Sequence, residues 1–226
     1  MNILAIDTSS EYLSIGLQYQ NKRSYILEKV GNKQSDFIIP KIQVLLKECG
    51  ATIDKVDVIA YNQGPGSFTG LRIGLSVAIG MAYPGNTKLI PIPGFAIYAQ
   101  SIKNLVQDKN ILIAIDARLN QTYFAGIDTT KFEYFINPQV INPNDIDIPN
   151  DNLVCVGSGF KQYYSLLPEK VKKLEFIDAE YPNALNMIQL VEKGCYAKIS
   201  VYEADLLYLR NKVALNLEEQ KQSRSK

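Results

Sequence analysis

Between Ser67 and Tyr83 the chain carries a single charge, Arg72, and is otherwise apolar or small. Gly70, Gly74, Ala78 and Ala82 recur at every fourth position, so they form one ridge of a helix. Ser67 is a suitable cap at its start, and Pro84-Gly85 stops it after Tyr83. Gly70, Gly74 and Gly80 each cost a helix roughly 1 kcal/mol relative to alanine. Close backbone packing must therefore offset them. Leu71, Ile73, Leu75, Val77, Ile79 and Met81 fill the other sides, so the expectation is a helix buried nearly all round. Val56 to Tyr61 reads as a strand before it. The intervening Asn62-Gln63-Gly64-Pro65-Gly66 is a loop that no regular element tolerates. A buried strand, a glycine-rich loop and a buried helix in succession commit the chain to a layered α/β fold.

The flanking segments extend that layering. Asn2 to Ile6 is an apolar strand, Asp7-Thr8-Ser9-Ser10 a polar turn, and Tyr12 to Leu17 a returning strand. Lys22 to Lys29 adds a third strand. Ser35 opens a helix whose apolar residues Ile38, Ile42, Leu45 and Cys49 share one face, while Phe37, Ile39, Val44 and Leu46 lie off that stripe. The excess implies a second buried contact. Lys88 to Ile92 is a strand and Phe95 to Asn104 a helix. At Ile111 to Asp116 the pattern restarts: a strand, the turn Asp116-Ala117-Arg118, and a return over Gln121 to Ile127, echoing the N-terminal hairpin. Asn137 to Asn152 reads as loop with short strands, Leu153 to Val156 as a strand leading into Gly157-Ser158-Gly159, and Asn183 to Cys195 as a helix. Hairpins followed by crossovers make mixed sheets.

Composition limits the chemistry. The 226 residues contain no histidine, which removes Ser-His-Asp and Cys-His catalysis and His-ligated zinc or iron. Cys49, Cys155 and Cys195 are far apart and form no C-x-x-C pair, so reduced thiols are expected rather than a zinc knuckle. A net charge of +1 with interspersed signs offers no broad surface for nucleic acid. No run of 18 apolar residues exists, because Arg72 interrupts the best stretch, and Met1-Asn2-Ile3 lacks a basic leader. A cytoplasmic protein with no membrane association is the expectation.

Ile3-Leu4-Ala5-Ile6-Asp7-Thr8-Ser9-Ser10, the block Asn62 to Gly74 with its Gly-Pro-Gly-Ser-Phe-Thr-Gly-Leu-Arg core, Ile115-Asp116-Ala117-Arg118, and Tyr208-Leu209-Arg210 followed by Val213-Ala214 together resemble the bacterial TsaB (YeaZ) family. The resemblance spans nearly the whole chain. It implies an actin-like ATPase (ribonuclease H-like) α/β fold: an N-terminal lobe over 1–105, a reduced C-terminal lobe over 106–214 and a polar tail over 215–226. It also implies a non-catalytic scaffold or activator that pairs with TsaD, and with TsaE, for threonylcarbamoyl transfer to adenosine beside the tRNA anticodon. Alone, such a chain would be a homodimer, and it would meet tRNA only through the complex. Gln34 stands where the family commonly has histidine, Gln121 where an acid is usual, and Leu206 where proline often occurs; these bear on local loop geometry and polar contacts.

Within that resemblance, the interface falls on the two N-terminal helices, at Ile38, Ile39, Ile42, Leu46, Ser67, Phe68, Gly70, Leu71, Gly74, Leu75, Ala78 and Ala82. Such an interface buries roughly 1,000 Å² or more in total. Replacing Gly74 or Ala78 by a bulky residue is expected to abolish pairing and spare the fold. No catalytic or metal-ligating residue is assigned and no cofactor is required, although ATP or ADP could sit at the complex interface. The superfamily's nucleotide turns correspond to Asp7, Thr8 and Ser9 facing Asp116 and Arg118 across a cleft, where a carboxylate could hold magnesium through water. Gly64 to Gly74 lacks the lysine of a phosphate loop and reads as a turn feeding the interface helix. The rival readings are a nucleotide-dependent phosphotransferase or carbamoyl-transfer enzyme using Asp7 and Asp116, and a homodimeric module with its own ligand.

Overall fold

The computed structural model describes residues 1–106, 109–179 and 181–210. The expected Val213-Ala214 pair and the polar tail lie outside the described residues. The first sheet contains β1 (Ile3–Asp7), β2 (Tyr12–Tyr19), β3 (Lys22–Lys29), β4 (Val58–Gly64) and β5 (Lys88–Pro93), in the order β3-β2-β1-β4-β5. β1 runs antiparallel to β2 and parallel to β4. The second sheet contains β6 (Asn110–Asp116), β7 (Thr122–Ile127), β8 (Tyr134–Ile141), β9 (Leu153–Val156) and β10 (Glu175–Ile177), ordered β10-β9-β6-β7-β8. Read from its hairpin side, the order is the same, and β6 is antiparallel to β7 and parallel to β9. The hairpin echo in the sequence is thus one visible part of a whole-sheet duplication.

The alternation of side chains along β1 shows how the layers stack. Leu4 and Ile6 pack with Ile38, Ile42, Leu45 and Ala78 from α1 (Gln34–Cys49) and α2 (Phe68–Ala82). Ile3 and Ala5 point to the other face, against Ala96 and Ile97 of α3 (Gly94–Ile102) and Met187 and Ile188 of α6 (Ala184–Glu192). The far side of α3, with Phe95, Tyr98 and Ala99, packs on Ile111, Ile113 and Ile115 of β6. The outer face of the second sheet is covered by two short helices, α4 (Ser158–Gln162) and α5 (Glu169–Lys172), through Phe160 and Val171, together with Ile146 and Leu167 from the connecting segments. The second lobe is therefore reduced in its helices and complete in its sheet. No helix among the described residues is long and apolar enough to cross a membrane.

Four expectations change in whole or in part. α2 is not buried all round: Gly70, Leu71, Gly74, Ala78 and Ala82 are buried, while Thr69, Arg72, Ser76, Gly80 and Tyr83 are exposed. One stripe faces the sheet; on the opposite side Tyr208 reaches Arg72 and Tyr202 reaches Tyr83, and Ser76 and Gly80 between them stay exposed. The segment after Asn137 begins as strand, because β8 continues through Pro138 to Ile141, and from there to Asn152 it is the expected loop, with one 3-10 turn over Pro143–Asp145. An edge strand tolerates proline, since one of its sides needs no ladder donor. The helix expected to reach Cys195 ends at Glu192, before Gly194 with its φ of 70°. The division at 105/106 separates the two sheets, but α6 returns to the first sheet, and Ser14 Oγ accepts a hydrogen bond from Ala184 N at 2.9 Å.

Residues 199–210 form an irregular strap from β5 to the second lobe. Ile199 and Leu89 exchange backbone hydrogen bonds of 2.8 and 3.0 Å. The Tyr61 hydroxyl donates to Asp205 O at 2.9 Å, Leu207 N donates to Gln63 O at 2.8 Å, and Arg210 Nη2 donates to Gln121 Oε1 at 2.6 Å. Gln121, where the family resemblance leads one to expect an acid, thus anchors the strap. Gln34 is buried at the start of α1 and donates to Ser10 O at 2.6 Å. Leu206 packs partly buried on the first core.

Candidate interlobe cleft and helix face

The strand β1 delivers Asp7 to its C-terminal end, where the chain turns. The Asp7 side chain points inward and is 1% exposed. Its Oδ1 accepts hydrogen bonds from Ser9 N at 2.8 Å and Ser9 Oγ at 2.7 Å. Its Oδ2 accepts from Asn62 Nδ2 at 2.7 Å. Burial raises its pKa, and the hydrogen bonds from Ser9 and Asn62 oppose that shift. Thr8 Oγ1 donates to Gly70 O at 2.6 Å, and Ser67 N donates to Ser9 O at 2.7 Å. The glycine-rich loop and the first turn of α2 therefore lie directly on the β1–β2 turn. A Cβ on Gly70 would fall 1.9 Å from Thr8 O, and one on Gly74 would fall 2.5 Å from Thr8 Oγ1. These contacts supply the close packing that two of the three helical glycines require.

Between the lobes lies a cleft of about 660 Å³, lined by Ser9, Asp116 and Arg118 but not by Asp7 or Thr8. Asp116 Oδ1 accepts from Arg118 N at 2.7 Å and from the Tyr163 hydroxyl at 2.7 Å, and Oδ2 lies 3.2 Å from Arg118 Nη1. Burial, then the bond to Asp116, push the Tyr163 hydroxyl up to about 12, so it stays a donor at neutral pH. Arg118, Leu119 and Asn120 all have positive φ, at 63°, 54° and 56°. Glu11 and Arg210 also line the cleft, so acids and arginines face each other across it.

The structure brings together three of the five predicted nucleotide-site residues. Asp7 and Thr8 serve the fold, which corrects that assignment. The resemblance to an actin-like fold implies a nucleotide with a metal ion, and Asp7 and Thr8 do not fit the place expected of them there, since neither lines the cleft. Both oxygens of Asp7 already hold donors from Ser9 and Asn62, and the turn lies beneath Gly66 and Ser67. Among the described residues no three His, Cys, Asp or Glu side chains converge as metal ligands. Asn62 and Tyr163 escaped assignment as site residues. Asn62 was visible in the sequence as a polar residue late in the apolar β4 and as the first residue of the Asn62 to Gly74 block.

The predicted interface residues also divide. Ile38, Ile42, Gly70, Leu71, Gly74, Ala78 and Ala82 are buried in this chain's own core, so they cannot form the contact surface. Replacing Gly74 or Ala78 would damage the fold rather than spare it. Ile39 and Phe68 remain exposed at 46% and 39%, Ser67 is exposed, and Leu46 and Leu75 are half-buried. Around Gly80 a Cβ would meet nothing within 4 Å. The open ridge Thr69–Arg72–Ser76–Gly80–Tyr83 is small at its centre and flanked by half-buried Ile73, Val77, Ile79 and Met81.

Two sheets of one topology, a cleft between them and the Asp7 turn closed by Asn62 define an actin-like ATPase fold. A family model described as TsaD, tRNA N6-adenosine threonylcarbamoyltransferase, matches residues 28–177. The Haemophilus influenzae tRNA threonylcarbamoyladenosine biosynthesis protein TsaB is 35% identical, over 94% of this chain and 95% of that protein. The Escherichia coli protein of the same description is 28% identical, over 95% and 96%. The solved structure of YeaZ from Pseudomonas aeruginosa, 25% identical, superposes with a TM-score of 0.81 over 92% of this chain and 99% of that one. The chain belongs to the TsaB (YeaZ) family.

Proposed function

We propose that the chain takes part in tRNA threonylcarbamoyladenosine biosynthesis as a cytoplasmic, non-catalytic subunit that pairs with TsaD through the outer faces of α1 and α2. TsaE joins that pair, and tRNA reaches the chain only through the complex. Without TsaD, the same face pairs two copies. The observation carrying this reading is the open ridge of α2, where Gly80 and Ser76 sit exposed between apolar rows. A glycine in an exposed helix is unfavourable unless another backbone comes close. Ile39 and Val44 on α1, each 46% exposed, extend the apolar surface. Greater affinity for one TsaD conformation would make the chain an activator. A non-catalytic role is supported by the two turn carboxylates, each occupied by this chain's own donors. Nucleotide, where the complex uses it, is placed on TsaD or between the subunits.

The test is light scattering after gel filtration, with the chain alone and mixed with TsaD from the same source. A homodimer that converts to a one-to-one heterodimer is expected. Gly80→Glu should keep its circular dichroism and melting profile and lose both forms of pairing. A wild-type chain indifferent to TsaD would overturn the reading.

A further inference from the structure

Arg72 is the only charged residue of α2, and the surrounding structure holds it in one place. Its guanidinium carbon lies 3.8 Å from the Phe68 ring centroid and 6.0 Å from that of Tyr208. The two rings pack at 5.8 Å, and Arg72 Nε donates to the Tyr208 hydroxyl at 3.1 Å. No carboxylate among the described residues pairs with it. The aromatic stack and the Nε bond fix the plane, leaving the two terminal nitrogens as a fork. A fixed guanidinium fork matches a carboxylate through two parallel hydrogen bonds. Phe68 and Tyr208 line the cleft while Arg72 does not, so the fork lies outside the interlobe space. It stands instead on the ridge with Ser76 and Gly80.

We infer that Arg72 is a docking residue for an acidic side chain on the partner subunit's apposed helix, and that the strap residue Tyr208 is its positioning residue. The inference rests on the pairing proposed above. An apolar helix face with one cation suits a single buried carboxylate. A polyanion such as RNA draws its affinity from several phosphate contacts, which this face lacks. On docking, water leaves the fork, and truncating one member of a desolvated, hydrogen-bonded charge pair is costly.

The experiment is calorimetric titration of TsaD with wild type, Arg72→Gln, Arg72→Lys and Tyr208→Phe at low and high salt, each variant first matched to wild type by circular dichroism. Arg72→Gln should weaken binding by about 30-fold or more and flatten its salt dependence. Arg72→Lys keeps the charge and should recover the salt dependence but little of the affinity. Tyr208→Phe keeps the stack, frees Nε and should fall between wild type and Arg72→Gln. Arg72→Gln binding within twofold of wild type, while Gly80→Glu does not bind, would overturn this inference and leave the pairing intact. Failure of wild type to bind TsaD would instead remove the pairing itself. The inference also fails if Arg72→Gln abolishes only self-association of the chain, or only binding of an anticodon stem-loop RNA, with TsaD affinity unchanged.

Discussion

Asp7 receives three hydrogen bonds in a space that water does not reach. All three donors come from this chain, and Asn62 is itself fixed because its Oδ1 accepts from Gly64 N at 2.8 Å. Asp7→Asn would turn an NH2 group toward Asn62 Nδ2, setting donor against donor. A loss of about 1–3 kcal/mol is expected, read from urea midpoints. The pH dependence has a definite sign. Burial raises the native pKa, so the neutral acid is favoured in the folded state. That contribution is fully present below the unfolded value and is lost as pH rises through the native one. The wild-type advantage over Asp7→Asn should therefore shrink as pH is raised from about 4 to 8. An advantage that grows over this range would mean that the three hydrogen bonds outweigh burial. The sequence shows Asp7 at the end of a strand, where metal binding and a closed local turn look alike. Only the fold brings Asn62 to it, from 55 positions away.

Along α2 the glycines separate into two kinds that the sequence presents as one. Gly70 meets the backbone oxygen of Thr8, whereas Gly80 meets open space. Gly70→Ala should therefore destabilise by about 3 kcal/mol or more, because a backbone contact cannot swing aside. Gly80→Ala should stabilise the chain, at dilutions where it is monomeric, by about 0.5–1 kcal/mol through helix propensity alone. Thermal melts of the two variants at low concentration decide this, and a destabilised Gly80→Ala would show that the ridge is packed within the chain. The periodicity of Gly70, Gly74, Ala78 and Ala82 made the inner ridge legible. The outer ridge was not, because a helix with Leu, Ile and Val on most sides reads as fully buried, whether its cover is its own chain or another. β8 was obscured for a different reason. Pro138 looks like a breaker in a sequence, and only its place at the edge of the second sheet makes it compatible with a strand.

At the scale of the molecule, the order of elements in the sequence suggests two consecutive lobes, and the packing interleaves them. The face of the first sheet that carries Ile3, Ala5, Val58, Ala60, Ile90 and Ile92 is completed by Met187, Ile188, Leu190 and Val191. α3 meanwhile packs one side on that sheet and the other on β6. A fragment ending at residue 105 would leave much of this apolar face uncovered and should not fold. In the intact chain Met187, which is 0% exposed, can be cut to alanine at an expected cost of about 2–5 kcal/mol. Because α3 packs on both sheets and α6 packs on α3 and the first sheet, the elements form one packed stack, and the loss should appear equally in both sheets. Amide exchange should show lowered protection in β1 and in β6 by the same free energy, with one unfolding transition by every probe. Lowered protection confined to β1 and β2, with β6 and β9 unchanged, would mean that the lobes open independently. Partner docking on α2 would then be felt in the first lobe alone. With one cooperative stack and the strap tying Tyr208 to Arg210, docking should instead slow exchange at the 117–121 turn, on the far side of the cleft from the bound face.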